Sequence, residues 1–280
     1  MWKDEQLTNL LKIVRQAGTE ILSVYSHTNN YNVGYKEDNS PITDADRLAN
    51  NLIVSALKKL SSNLPILSEE SEYVPFSERE SWEDYWLIDP LDGTREFIKR
   101  NGEFTVNIAL VRKGVPEMGV VHVPVSGVTY LGKRGDGAWR VEQDDIVKEI
   151  HSREIEPPCG FLKIVASRSH HNDPLANLIQ DIPKEIQVEV VSMGSSLKIC
   201  LLAEGEADLY PRLAPTCEWD TAAAHAVLKA AGGEIFDTTF QPLKYNQKTD
   251  LLNPHFFAVA DTNFDWEKLF SNYSSLSDTQ

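Results

Sequence analysis

Fold and chemistry both centre on one stretch of the chain, Trp86-Leu87-Ile88-Asp89-Pro90-Leu91-Asp92-Gly93-Thr94. Its aromatic and aliphatic start predicts a buried strand, which we expect to end at Pro90 and Gly93. A strand that ends by presenting Asp89, a backbone carbonyl and Asp92 offers a cluster of hard oxygen atoms, which suits Mg²⁺ or Mn²⁺ better than zinc. A strand followed by an Asx-type turn explains the same residues. This stretch alone therefore leaves open the choice between a metal site and a turn.

The composition is that of a soluble globular protein of moderate size. With 280 residues, 41% hydrophobic and 25% charged, the chain can bury a sizeable core as one large domain or two ordinary ones. Its net charge of −15 argues against a non-specific nucleic-acid surface. An acidic protein that handles an anionic substrate needs local bases or bound cations, although the acidity can equally serve solubility alone.

The cysteines and the N-terminus suggest a compartment. Cys159, Cys200 and Cys217 are widely spaced and form no CxxC pair, which fits a reducing environment. Polar residues follow Met1, so no signal peptide is predicted, and no apolar run approaches the roughly 18 residues of a membrane helix. We expect a cytoplasmic protein, and a loose peripheral association with the cytoplasmic face of the inner membrane stays open.

Helical spacing of apolar residues from Leu7 to Tyr25 predicts a first amphipathic helix. A second helix follows, where Thr43 and Asp46 have the spacing of a capping box. Asp46 therefore has a sound structural explanation as a residue of a helix start. A role beside an active site needs support from elsewhere.

A short strand over 65–68 ends at Glu69-Glu70. If it lies beside the strand over 85–88, Glu69 meets Asp89 and Asp92. Carboxylates that close repel one another strongly unless a cation compensates them. A solvated acidic loop is the alternative.

Beyond this point the pattern changes twice. Short β-rich runs over 104–112, 118–123, 128–132 and 138–141 predict an antiparallel meander, so that two helices pack on a mostly antiparallel sheet. Pro157, Pro158 and Gly160 then mark a predicted boundary between an α+β domain, 1–156, and an α/β domain, 157–280. Strands and helices alternate in the second part. Its predicted strands cover 162–166, 188–191, 207–210 and 256–260, and its predicted helices cover 173–180, 195–203 and 221–231.

Two motifs of the second part could carry chemistry. Gly194-Ser195-Ser196-Leu197-Lys198 lies where a strand gives way to a helix, and its small residues would expose backbone N–H groups and hydroxyls to a phosphate. Lys198 would add a positive charge. An ordinary helix cap explains the serines equally well. The other motif is Trp219-Asp220, where Asp220 starts an Ala-rich helix and could be no more than its cap.

Together these segments resemble the inositol monophosphatase superfamily of metal-dependent, lithium-sensitive phosphatases. The resemblance runs from Ser40 to Gly233 and rests on Glu69-Glu70, on Asp89–Thr94 and on Trp219-Asp220, in this order. It implies a layered αβαβα sandwich, with N-terminal helices on a mostly antiparallel sheet followed by a C-terminal α/β layer. It also implies two or more Mg²⁺ ions, replaceable by Mn²⁺, and a water molecule as the attacking group.

The resemblance assigns roles residue by residue. It implies that the metal ligands are Glu69, Asp89, Asp92 and Asp220 with the backbone carbonyl of Leu91. The residues that orient or deprotonate water would be Glu70 and the pair formed by Thr94 and Asp46, which gives Asp46 the support it lacked.

Within the superfamily, the segment 194–198 is similar to the 3′(2′),5′-bisphosphate nucleotidase branch, as are segments 167–170 and 210–212. The implied substrate is adenosine 3′,5′-bisphosphate, giving AMP and phosphate, with 3′-phosphoadenylyl sulfate as a second substrate. The preference between them stays open. The implied substrate contacts are Glu69, Leu91, Asp92, Gly93, Thr94, Ser169, His170, Gly194, Ser195, Ser196, Lys198, Arg212 and Asp220.

Three other interpretations compete. A phosphatase acting on inositol monophosphate or fructose 1,6-bisphosphate shares the acidic motifs, but Ser196 and Lys198 argue against the inositol substrate. A non-catalytic sensor of phosphorylated nucleotides would not need Glu70, Thr94 and Asp46. A purely structural acidic protein leaves the clustered carboxylates unexplained. We expect a small phosphorylated nucleotide as ligand, with neither a nucleic acid nor a stable protein partner.

Overall fold

The computed structural model describes residues 4–27, 33–35, 41–167 and 173–270, without the side chains at 33, 35 and 173. Within those ranges no helix combines the length and the apolar character needed to cross a membrane. The elements of the first half are α1 (Glu5–Ser26), β1 (Val33–Tyr35), β2 (Pro41–Thr43), α2 (Asp44–Leu60), β3 (Ile66–Ser68), α3 (Phe76–Arg79), β4 (Asp84–Asp92), α4 (Thr94–Lys99), β5 (Thr105–Arg112), β6 (Val115–His122), β7 (Thr129–Lys133), β8 (Gly137–Val141) and β9 (Val147–Ile150).

The second half adds a smaller sheet and its helices. Its elements are β10 (Phe161–Ser167), α5 (Asp173–Asp181), β11 (Gln187–Met193), α6 (Leu197–Ala203), β12 (Leu209–Arg212), α7 (Glu218–Ala231), β13 (Glu234–Asp237), β14 (Phe256–Val259) and α8 (Trp266–Leu269).

The described elements stack in five layers, which confirms the predicted αβαβα sandwich. Helices α1 and α2 cover one face of a seven-stranded sheet, and α6 and α7 lie between this sheet and a five-stranded one. Helices α5 and α8 cover the outer face of the smaller sheet. The central layer matters most for the site, because α7 carries Asp220 and packs against the larger sheet.

Both N-terminal helices begin at a side-chain cap. Asp4 accepts hydrogen bonds from the backbone N–H groups of Gln6 and Leu7. Thr43 and Asp46 form the predicted capping box at the start of α2. The apolar stripe of each helix is buried against the sheet, so the prediction of two amphipathic helices is confirmed.

The larger sheet has the order β3-β4-β5-β6-β7-β8-β9, in which β3 runs parallel to β4 and every other pair is antiparallel. The predicted meander is therefore confirmed. One expectation is wrong, because Pro90 does not end the central strand. The pairing of β4 with β5 is irregular between Asp89 and Asp92 and resumes at Asp92. This irregularity takes Pro90, which has no N–H group, out of the hydrogen-bonded ladder and lets the strand continue.

The alternating elements of the second half are also confirmed, with additions. Its sheet has the order β11-β10-β12-β14-β13 and includes parallel and antiparallel pairs. The sequence pattern did not reveal the short elements β13 and α8 of this half, nor α3 and β9 of the first half. Each has four residues, too few for a periodic pattern to appear.

The halves share an apolar core. Ala223 and Val227 of α7 belong to the same buried cluster as Val121 and Tyr130 of the larger sheet. The predicted division at residues 156 and 157 stays a prediction. The shared core nevertheless means that the chain after this point fixes the position of the site in the first half.

A buried histidine provides the first test of the packing. His122, at the end of β6, is 4% exposed, and its Nδ1 lies 2.8 Å from the Thr129 hydroxyl. Burial and the charge of Arg15 lower the pKa of His122 to about 4. Between about pH 6.5 and pH 4, His122 is therefore protonated in the unfolded chain and neutral in the folded chain. Because of this difference, acid favours unfolding in this pH range.

We expect His122 to lower the free energy of unfolding by roughly 2 kcal/mol between pH 7 and pH 4.5. The variant His122→Gln should lack this component, because glutamine does not titrate. Urea unfolding of both proteins at the two pH values, in the same buffer, measures the difference. The same pH dependence in both proteins would contradict the assignment.

Candidate active site

The carboxylates that the sequence singled out meet where the two halves join. Asp89 and Asp92 lie at the end of β4, and Asp220 lies in the first turn of α7. One carboxylate oxygen of each lies within 4.8 Å of those of the other two. Three oxygens this close have the spacing expected around a cation.

Strand pairing explains how Glu69 joins this group. In the parallel register of β3 and β4, Ser68 is opposite Ile88, and the backbone N–H of Glu69 donates to the Ile88 carbonyl at 3.2 Å. The next residue along β4 is Asp89, whose pKa is raised by burial and, in addition, by the negative charge of Glu69. The predicted neighbourhood of the two strands is thus confirmed.

The raised pKa values of Asp89 and Asp220 show that the acidic cluster accommodates its negative charges poorly. Burial raises the pKa of Asp89 well above its usual range, and the charges of Glu69 and Asp92 raise it further. Burial likewise raises the pKa of Asp220 well above its usual range, as do Asp92 and Glu69. The chain thus brings carboxylates together at a cost that a divalent cation would remove. The donor set is all oxygen, which fits Mg²⁺ or Mn²⁺.

Asp92 is better compensated than its neighbours. Its Oδ2 accepts a hydrogen bond from the Ser196 backbone N–H at 2.6 Å and lies 3.5 Å from Nδ2 of Asn107. Burial raises the pKa of Asp92 to about 6, against the opposing effects of the Lys198 charge and the Ser196 hydrogen bond. A loop from the second half therefore holds a carboxylate of the first.

A hydroxyl–carboxylate pair lies beside the cluster. The Thr94 hydroxyl donates to Oδ1 of Asp46 at 3.1 Å. The other oxygen of Asp46 accepts from the backbone N–H and the hydroxyl of Thr43, at 2.7 and 2.6 Å. Gly93 directs the chain toward this pair with a φ of 94°, a left-handed conformation that favours glycine. The capping and the active-site interpretations of Asp46 are thus compatible.

The segment of Glu70 is fixed from α2. Asn50 donates to the Glu70 backbone carbonyl at 3.3 Å and accepts from the Ser68 hydroxyl at 2.7 Å. These two bonds fix the backbone that carries Glu69 and Glu70.

The backbone N–H groups of the small residues before α6 are not exposed in the way that the sequence predicted. The Gly194 N–H donates to Glu103 at 2.8 Å, and the Ser196 N–H donates to Asp92. The expectation that these two backbone groups are exposed to a ligand is therefore wrong, because protein carboxylates already occupy them. The Ser196 hydroxyl is also engaged, by Asn107 at 2.9 Å. Ser195 has a φ of 46°, so the turn itself is tight.

Two predicted substrate contacts, Lys198 and Arg212, line a cleft that opens beside the cluster. Nζ of Lys198 donates to the Ser195 carbonyl at 2.5 Å and lies 5.4 Å from the ring centre of Tyr210. Arg212 donates to the Ser167 hydroxyl at 3.0 Å and to two backbone carbonyls. The same cleft is lined by Asp92, Gly93, Gly194, Ser195, Ser196 and Asp220. The predicted contacts Ser169 and His170 lie outside the described residues.

Sequence reasoning missed a polar row on β5. Asn107 is opposite Asp89 and Thr105 is opposite Asp92 in the antiparallel register. The Thr105 hydroxyl lies 2.8 Å from that of Ser196. The alternation Thr105-Val106-Asn107 in an otherwise apolar strand was the signal, since it places two polar side chains on the face of the carboxylates.

A buried arginine was also missed. Arg79 is fully buried and donates to Oδ1 of Asn246 and to the Thr249 carbonyl. The Asn246 backbone N–H in turn donates to both carboxylate oxygens of Glu218, at 3.0 and 2.8 Å. This chain of bonds joins the segment after Glu69-Glu70 to the start of α7. No local sequence pattern predicts these hydrogen bonds, because the residues that form them are far apart in sequence.

Comparisons with known proteins place nearly the whole chain in one family. The model of the inositol monophosphatase family matches residues 2–264. The chain is 46% identical over 250 residues to the 3′(2′),5′-bisphosphate nucleotidase CysQ of Escherichia coli strain K12, covering 89% of this chain and 98% of that protein. It is 40% identical over 266 residues to the CysQ protein of Haemophilus influenzae, covering 94% and 96%.

Solved structures share the fold. The crystal structure of CysQ from Bacteroides thetaiotaomicron, a bacterial member of the inositol monophosphatase family, has a TM-score of 0.80 and 41% identity, over 94% of this chain and 99% of that one. An inositol monophosphatase from Zymomonas mobilis has a TM-score of 0.72 at 20% identity, over 98% and 100%, and shares the fold. The chain belongs to the inositol monophosphatase family, whose members depend on metal ions.

Proposed function

We propose that this chain is a 3′(2′),5′-bisphosphate nucleotidase that removes the 3′-phosphate of adenosine 3′,5′-bisphosphate to give AMP and phosphate, with 3′-phosphoadenylyl sulfate as a second substrate. The observation that carries the proposal is the meeting of Asp89, Asp92 and Asp220 beside a cleft lined by basic side chains. The relatives named as CysQ nucleotidases, which match most of the chain, support the same substrate class.

The proposed metal ligands are Glu69, Asp89, Asp92, Asp220 and the carbonyl of Leu91, and Mg²⁺ is the proposed ion. Its support is the all-oxygen donor set and the raised pKa values of the buried carboxylates. When bound, Mg²⁺ supplies positive charge that offsets the carboxylates and the phosphate and makes a water molecule more acidic.

The proposed role of Thr94 follows from the direction of its hydrogen bond. Its hydroxyl lies 3.1 Å from Oδ1 of Asp46 and 3.4 Å from the Leu91 carbonyl oxygen, so its proton points toward these acceptors and its own oxygen can accept a hydrogen bond from the attacking water. We assign a second acceptor for that water to the Glu70 carboxylate. Held by both, the water oxygen bonds to phosphorus in line as the bond from phosphorus to the 3′-oxygen breaks. The Glu70 carboxylate takes up one proton of this water, and the departing 3′-oxygen takes a proton from solvent to become the 3′-hydroxyl of AMP. Positioning and charge compensation supply most of the rate in such transfers.

The cysteines bear on the compartment in which the protein works. Within the described residues Cys159, Cys200 and Cys217 form no disulfide, which supports the cytoplasm as the working location. Fractionation of cells that express the chain, with immunodetection in the soluble and membrane fractions, tests this assignment.

A substrate panel tests the function. Phosphate release with Mg²⁺ is measured for adenosine 3′,5′-bisphosphate, inositol 1-phosphate and fructose 1,6-bisphosphate, each with and without Li⁺. We expect the highest kcat/KM for the nucleotide, and inhibition by Li⁺. A clear preference for inositol 1-phosphate would overturn the proposed substrate while leaving the family intact.

A further inference from the structure

Three basic side chains line the cleft among the residues that the structure describes, namely Arg95, Lys198 and Arg212. Two of them already bind protein groups. Nζ of Lys198 donates to the Ser195 carbonyl and lies over Tyr210. The guanidinium of Arg212 donates to three oxygen acceptors of its own chain. Their positive charges still face the cleft, but binding a ligand would compete with bonds they already make.

Arg95 differs, because its guanidinium binds no protein group in the described part of the chain. It is exposed, and within the described ranges it makes neither a hydrogen bond nor an ion pair. All five N–H donors of its guanidinium are therefore available to a ligand. Its backbone is nevertheless well placed, because Gly93 turns the chain into α4 and the buried Phe97 anchors that helix. A donor-rich side chain thus extends from a fixed base directly after Thr94.

The charge of the proposed substrate indicates which ligand group Arg95 would bind. A nucleoside bisphosphate carries two phosphates, and the carboxylate cluster with its cations accounts for only one. The second phosphate enters a protein of net charge −15, beside Asp92 and Glu96 on the cleft wall. A free guanidinium offers it paired, charge-assisted hydrogen bonds.

We propose that Arg95 binds the phosphate that is not hydrolysed and so selects nucleoside bisphosphates over monophosphates. This inference rests on the proposed nucleotidase function. Arg95 is a specificity-determining residue in this assignment, because it touches the part of the substrate remote from the reacting phosphorus.

The experiment compares two substrates that differ by one phosphate, adenosine 3′,5′-bisphosphate and adenosine 3′-monophosphate. The preference is the ratio of their kcat/KM values with Mg²⁺. We expect Arg95→Ala to lower this ratio about tenfold, the size of one charge-assisted hydrogen bond at a partly exposed site. Arg95→Lys, which keeps the charge but not the planar donor pair, should fall between the two.

Lys99→Ala is the matched control, because Lys99 is an exposed cation of the same helix that does not line the cleft. It should leave the ratio at the value of the unmodified enzyme, which separates direct contact from the general loss of one positive charge. Arg95 is exposed, so all three variants should fold normally, and thermal unfolding checks this.

The possible results distinguish failure of the Arg95 assignment from failure of the proposed nucleotidase function. An unchanged ratio in Arg95→Ala overturns the inference while leaving the nucleotidase intact, and so does an equal loss for both substrates. If the unmodified enzyme itself shows no preference for the bisphosphate, the proposed substrate class fails and the role of Arg95 fails with it.

Discussion

Replacing Asp89 with asparagine is expected to abolish phosphate release at saturating Mg²⁺ while the fold survives. Asparagine has nearly the same shape and keeps an oxygen that can accept the Leu91 N–H, which bonds Asp89 at 3.0 Å. It removes one negative charge from a cluster whose carboxylate oxygens lie within 4.8 Å of one another. We expect kcat to fall at least about 10³-fold, because the electrostatic arrangement that stabilises the transition state is lost. Asp92→Asn should be similarly inactive.

The same variant has a second readout that does not depend on turnover. The raised pKa of Asp89 means that the folded, metal-free chain accommodates its charge poorly, so removing the charge should raise the melting temperature in EDTA. Mg²⁺ should raise the melting temperature of the unmodified protein and have much less effect on the variant. Near-normal kinetics in Asp89→Asn, or an undiminished Mg²⁺ effect, would contradict the assignment.

Asp84→Asn provides a control on the same strand. Asp84 begins β4 and forms a surface ion pair with Arg112, at 3.1 Å. Such pairs contribute about 1 kcal/mol or less. We therefore expect kcat and the Mg²⁺ effect to match those of the unmodified protein.

The parts of the site that the sequence predicted are those with a local signal. The apolar run before Asp89 and the short run before Glu69 both ended in acids, and the pairing of β3 with β4 then placed them side by side. The capping box at Thr43 and Asp46 was visible as a four-residue pattern. Even so, the adjacency of Asp220 came only from the family resemblance, because a cap on an Ala-rich helix looks the same wherever the helix packs.

The parts that the sequence did not predict depend on contacts between distant segments. Asn107 supports Asp92 only because the irregular pairing after Asp89 sets that register. Arg79 reaches Asn246 across 167 positions of the chain. Composition alone makes a fully buried arginine improbable, and only the acceptors that surround it explain its position.

The close approach of α7 to the larger sheet explains how Asp220 reaches the carboxylates of β4. Helix α7 contributes alanines to this contact, and the sheet contributes glycines. A Cβ atom at Gly119 would lie 2.1 Å from the Ala223 carbonyl oxygen, and one at Gly132 would lie 2.5 Å from Cα of Val227. Neither contact is possible, since the obstructing atoms belong to backbone. The two glycines therefore set the distance between α7 and the sheet.

Gly119→Ala should consequently act on stability and activity together. The added methyl group forces α7 away from β6, which we expect to lower the free energy of unfolding by about 3 kcal/mol. The same displacement moves Asp220 away from Asp89 and Asp92. A shift of about 1 Å in a catalytic arrangement can cost about 10²-fold in rate, so kcat/KM should fall by that order in the fraction that remains folded.

The measurement combines urea unfolding with kinetics at a temperature where circular dichroism shows the variant to be folded. Gly160→Ala is the matched control, because a Cβ atom there meets no atom within 4 Å. It should change neither quantity. If Gly119→Ala loses stability but keeps its activity and its Mg²⁺ affinity, then the position of Asp220 does not depend on this contact. A combined loss would show that residues remote from the substrate set the geometry of the metal ligands, because the fold builds the site from a strand of one half and a helix of the other.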